Sequence, residues 1–126
     1  MSNAESHSAY YDRLREHASR ADEARESFDP PADPPADEEG MDYLRNGLGP
    51  LVVLYVEART ASRDVEFSAE EHRLFHRALN DWLALWTACH GVETDPDFTI
   101  RKAAELLIET HNVRDVAQLL THVPER

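Results

Sequence analysis

Apolar side chains recur along much of this chain at the three-to-four-residue spacing of an α-helix. The clearest stretch begins at Ser68 and Glu71, whose spacing is that of a capping box, and stops at Gly91. Residues 100–111 and 113–123 carry narrower apolar stripes with the same period. These segments predict three successive helices, and the first should lie centrally because its apolar arc is the widest.

A thinner stripe runs through the N-terminal part of the chain. Its members predict a marginally stable amphipathic helix over residues 5–28: Tyr10, Leu14, Ala18, Ala21 and Phe28. Residues 29–40 contain four prolines and five acidic residues, which predict an extended, solvated linker. We therefore expect three parts: an N-terminal helical segment (1–28), an acidic proline-rich linker (29–40) and a helical domain (41–126).

The segment around LVVLYV is ambiguous, because a run that is apolar on all sides fits a buried helix or a buried strand. We favour a buried helix over residues 50–62, since helix-forming residues follow the run. A hairpin over 51–67 is the alternative. Gly47, Gly49 and Pro50 are expected to interrupt any helix that begins at Asp42. The predicted fold is all-α, a small bundle of about four helices; the alternative is α+β.

Composition adds a strong acidic bias. The chain has 25 acidic residues against 13 basic ones, of which only Lys102 is a lysine, and its net charge is -12. This composition resembles that of haloarchaeal proteins, whose acidic surfaces are screened by molar salt, and the resemblance implies a halophilic host. With one cysteine, no apolar run long enough to cross a bilayer and no secretory signal, we expect a soluble cytoplasmic protein.

Two histidines are candidates for a metal site. His72 and His76 are four residues apart, so a helix would place both imidazoles on one side, as a helical metal pair requires. No spacing indicates a nucleophile with its base, and no glycine-rich phosphate loop is present. We accordingly expect no enzyme and no cofactor, with a helical metal-binding protein as one alternative.

The C-terminal segment DVAQLLTHVPER resembles the opening half of a helix-turn-helix, and this resemblance implies DNA binding. Thr121 stands where such a turn usually carries glycine. The candidate nucleic-acid contacts are Arg101, Lys102 and Arg114. The acidic balance of the chain argues against nucleic acid, whose phosphates require basic residues opposite them.

The function that we favour from the sequence is a non-enzymatic protein–protein interaction or regulatory module. A weak amphipathic helix on a flexible linker can reach a partner, and its apolar anchors would be Tyr10, Leu14 and Phe28. The partner would be another protein or a second copy of this chain, which would give a homodimer.

Overall fold

The fold is known from a computed structural model, which describes residues 7–61 and 65–125. The helices and the one π-helical turn in these ranges are α1 (Tyr11–Glu26), α2 (Asp37–Tyr43), the π turn (Leu44–Leu48), α3 (Gly49–Ala61), α4 (Ala69–Cys89), α5 (Ile100–Thr110) and α6 (Val113–Thr121). The described residues contain no strand, so the all-α prediction is confirmed. The hairpin alternative is wrong, because residues 51–61 are helical; residues 62–64 lie outside the described part.

Helix α4 lies at the centre of the bundle and contacts every other helix and the π turn. Its inward side chains are fully buried, among them Phe75, Leu79, Leu83 and Trp86. The predicted capping box is present: the Ser68 hydroxyl accepts from the Glu71 backbone N–H at 3.1 Å, and the Glu71 carboxylate accepts from the Ser68 N–H at 2.8 Å. The wide apolar arc of α4 thus supplies more residues of the shared core than any other helix does.

The path from α2 to α3 differs from the prediction. Gly47, Gly49 and Pro50 do not interrupt it; the chain widens into the π turn and continues as α3. The reason lies at Gly47, where an added Cβ would come within 2.4 Å of the Trp82 indole. Glycine here allows the helix backbone to touch the tryptophan ring, a close approach that any side chain would prevent.

Helix α1 is shorter than predicted and packs on α4. It begins at Tyr11 and ends at Glu26. Leu14 and Ala21 are fully buried and Ala18 nearly so, and all three belong to the same core as the later helices. The small alanines let the two helix backbones approach closely.

The segment predicted as an extended linker, 29–40, is non-helical only as far as residue 36, and it bends at residues 32–34. Residues 37–40 form the first turn of α2, and Gly40 is buried against Trp86. The Ala36 N–H donates to the Cys89 carbonyl at 2.7 Å, which ties the segment to the end of α4. Within the described ranges no helix is both long enough and apolar enough to cross a membrane.

Candidate interaction groove between α3 and α5

The three predicted partner anchors are occupied inside the chain. Leu14 is fully buried in the core, and Tyr10 and Phe28 are partly buried against it. Their use by a partner would require α1 to leave α4. The interaction proposed for them stays a prediction, and an exposed surface elsewhere becomes the better candidate.

Polar contacts hold α1 in this position. The Glu71 carboxylate accepts from the Ser8 backbone N–H at 3.1 Å and from the Ser8 hydroxyl at 2.6 Å. Arg25 pairs with Asp81 at 3.1 Å. Further contacts between α1 and neighbouring helices are Tyr11 with Glu70, Arg13 with Glu57, and Arg77 with Asp22. Helix α1 is therefore fixed at both of its ends.

His72 and His76 contact different partners. His76 Nε2 lies 2.7 Å from Asp97 Oδ1, whereas the His72 ring meets the edge of Phe67 at 5.9 Å between centroids. Across the described ranges, no group of three or more His, Cys, Asp or Glu side chains converges as a metal site would require. The described residues thus add no third ligand to the predicted pair.

Of the three predicted nucleic-acid contacts, Arg114 is held by the protein itself. It donates to Asp37 at 2.9 Å, and its guanidinium lies 5.2 Å from the centre of the Trp86 ring. This hydrogen bond holds the pKa of Asp37 below its ordinary value, although burial acts in the opposite direction. Arg101 and Lys102 are exposed at the start of α5.

Cys89 and the two tryptophans belong to the core. Burial, with a smaller effect of the nearby Glu39 charge, raises the pKa of the Cys89 thiol to about 11, so it is protonated and a poor nucleophile at neutral pH. Trp86 is fully buried and donates to the Val123 carbonyl at 2.8 Å. Trp82 is almost fully buried beside Gly47.

A groove of about 670 Å³ runs between α3 and α5. Its apolar lining comes from both helices: Tyr55, Val56, Ile100, Ala104 and Ile108. Arg59, His72 and Arg101 line it as well, and Glu105 is its acidic member. The groove thus combines apolar side chains of two helices with two arginines and one glutamate.

Large aliphatic side chains are exposed on this side of the molecule. Ile108 on α5 is 59% exposed, and Val53 on α3 is 52% exposed. Val53 lies three residues before Val56, and hence on the same side of α3. Sequence reasoning missed this surface because it treated the all-apolar run in α3 as wholly buried. The sequence did contain one indication of this surface: Ile108 is a large apolar residue that lies outside the stripe of α5 predicted to face the core.

One protein family matches nearly the whole chain. Residues 8–125 match the family described as "Domain of unknown function (DUF8055)". The chain belongs to this family. The matched region begins before α1 and extends beyond α6, so it includes both helices of the groove. No curated protein and no solved structure matches the chain.

Proposed function

We propose that this chain is a non-enzymatic protein-interaction module that binds a helix of a partner protein in the groove between α3 and α5. The observation that carries the proposal is the exposure of Ile108 beside that groove. A groove lined by apolar side chains of two helices is a common binding site for an amphipathic helix of another protein.

The dimensions of the groove favour a helical occupant. From Ile100 to Ile108, α5 advances about 12 Å at roughly 1.5 Å per residue, and α3 runs beside it. This length equals about two turns of a partner helix. An amphipathic helix that places residues i, i+4 and i+7 into such a floor is a common mode of recognition.

Point variants test this proposal better than removal of the N-terminal region. Deleting residues 1–40 would take Leu14, Ala18 and Ala21 out of the core, so lost association would have a structural explanation. Ile108→Asp instead places a charge at the exposed edge of the groove. Leu119→Asp is the matched control, because Leu119 is also an exposed aliphatic residue, 46% accessible, but lies on α6.

The experiment uses the full chain with a photo-crosslinking amino acid in place of Val53, in extract at molar salt. We expect one protein to be cross-linked. The cross-link should persist when the chain carries Leu119→Asp and should disappear when it carries Ile108→Asp. Cross-links that survive Ile108→Asp unchanged would contradict the proposal. A cross-link to a second copy of this chain would also contradict it and would favour a homodimer.

A further inference from the structure

We infer that the helix bound by this groove is acidic, with carboxylates flanking its apolar stripe. This inference rests on the proposed function and specifies the chemistry of the partner. It comes from the charges around the groove, which differ from those of the rest of the chain.

The first observation is a local reversal of charge. The chain as a whole has 25 acidic and 13 basic residues. The groove is lined by two arginines, Arg59 and Arg101, and by one carboxylate, Glu105. Lys102, the single lysine of the chain, is exposed next to Arg101. The described lining of the groove therefore has more cations than anions, whereas the chain as a whole has more anions than cations.

The second observation concerns the start of α5. A helix N-terminus favours acidic residues, because the helix dipole is positive there. The first turns of α1, α2, α4 and α6 each contain at least one acidic residue, whereas those of α3 and α5 contain none. The first turn of α5 carries Arg101 and Lys102. These two side chains add positive charge at the end of α5 where the dipole is already positive.

The third observation is that the groove cations are weakly engaged. The Arg59 guanidinium donates to the Val65 carbonyl at 3.4 Å and lies 5.9 Å from the Tyr55 ring centre, with no carboxylate partner among the described residues. Arg101 lies 3.6 Å from Glu105, and both side chains are largely exposed. An exposed pair of this kind is easily exchanged for a carboxylate of a partner.

The position of the two arginines defines the pattern of the partner. Arg59 belongs to α3 and Arg101 to α5, and the apolar lining includes residues of both helices. A helix seated on this lining would present its apolar stripe to Val56, Ala104 and Ile108. Glu or Asp on the two sides of that stripe would then reach Arg59 and Arg101. A basic helix would place like charges at both positions.

The experiment measures fluorescence anisotropy of three synthetic helical peptides, each about five turns long, with the full chain. Two of them share a stripe of leucines at positions i, i+4 and i+7. In the acidic peptide the remaining positions are Glu and Gln, and in the basic peptide they are Lys and Gln. The third is the acidic peptide with its leucines changed to Gln. We expect the acidic leucine peptide to bind at least tenfold more tightly than either of the others. Nonspecific attraction to a chain of net charge -12 would favour the basic peptide. Tighter binding of the acidic peptide would therefore indicate binding at the groove.

Variants assign the binding to named residues. The double variant Arg59→Glu and Arg101→Glu should lose at least tenfold in affinity for the acidic peptide and gain affinity for the basic one. The double variant Arg15→Glu and Arg20→Glu, at two exposed arginines on α1, is the control with the same change of charge and should leave the preference unchanged. Failure of the acidic peptide to bind, or binding that the double variant does not weaken, would overturn the inference.

The failure of this inference and that of the proposed function are distinguishable. Tighter binding of the basic peptide, lost with Ile108→Asp, would overturn the acidic partner and leave the groove as the binding site. Peptide binding that is unaffected by Ile108→Asp would overturn both. Equal binding of the peptides with and without leucines, with displacement by duplex DNA, would overturn both in favour of a polyanion bound by Arg101 and Lys102.

Discussion

Glu71 joins the start of α1 to the start of α4 through one buried carboxylate. It accepts hydrogen bonds from Ser8 and from Ser68, and it is fully buried. Burial alone would raise the pKa of Glu71, but the hydrogen bonds from Ser8 and Ser68 together outweigh it and hold the pKa below its ordinary value. The ionised form is thus the one that stabilises the folded chain.

We predict that Glu71→Gln lowers the free energy of unfolding by about 1–3 kcal/mol at pH 7, because hydrogen bonds to a charged acceptor are lost. Since the folded pKa lies below the unfolded one, the carboxylate contributes fully above the ordinary value of 4.5 and loses its contribution as pH falls through the folded pKa. Urea unfolding at several pH values measures this. Glu109→Gln, at an exposed position, is the control. A difference from wild type that is as large in strong acid as at neutral pH would contradict the assignment.

Single residues show where sequence patterns are sufficient. The capping box was predictable because Ser68 and Glu71 are three residues apart. The additional hydrogen bond from Ser8 was not predictable, because it joins residues 63 positions apart in the sequence. No local sequence pattern indicates a contact of that separation. Gly47 was misinterpreted for the same reason: its role depends on Trp82, which lies on another helix.

At the scale of elements, α1 is a core helix in this structure. We predict that Leu14→Ala destabilises the chain by about 2–5 kcal/mol, since a fully buried leucine leaves a cavity. Leu119→Ala, at an exposed leucine, should change stability by less than about 1 kcal/mol. Urea unfolding followed by the fluorescence of Trp82 and Trp86 measures both. Unchanged tryptophan unfolding in Leu14→Ala would show that α1 is an independent, tethered helix.

Helix existence was predicted well and helix junctions poorly. Helices α4, α5 and α6 follow from apolar periodicity and from their caps, which are local properties of the chain. The π turn does not, because it arises from contact between Gly47 and α4. The groove shows the same division: Arg101 and Lys102 were recognised as candidate contacts, whereas Arg59 and Ile108 were not. Arg59 and Ile108 line the same groove only because α3 and α5 pack together.

At the scale of the whole molecule, the net charge of -12 should make stability depend on salt. We predict that raising KCl from 0.1 to 2 M increases Tm by about 5 °C or more, because screening reduces repulsion between carboxylates. Surface ion pairs such as Arg77 with Asp22 would be weakened by the same change, so the sign of the shift shows which effect is larger. Thermal unfolding followed by circular dichroism measures it. A constant or falling Tm would contradict the halophilic interpretation of the composition.

The groove between α3 and α5 is the proposed site of interaction. The most direct test is an NMR titration of the isotope-labelled full chain with the acidic leucine peptide, following each backbone amide. We predict that the largest shift changes cluster at Arg59, Ala104 and Ile108, while the α1–α4 contact is undisturbed. Changes centred on α1, or none up to millimolar peptide, would contradict the account.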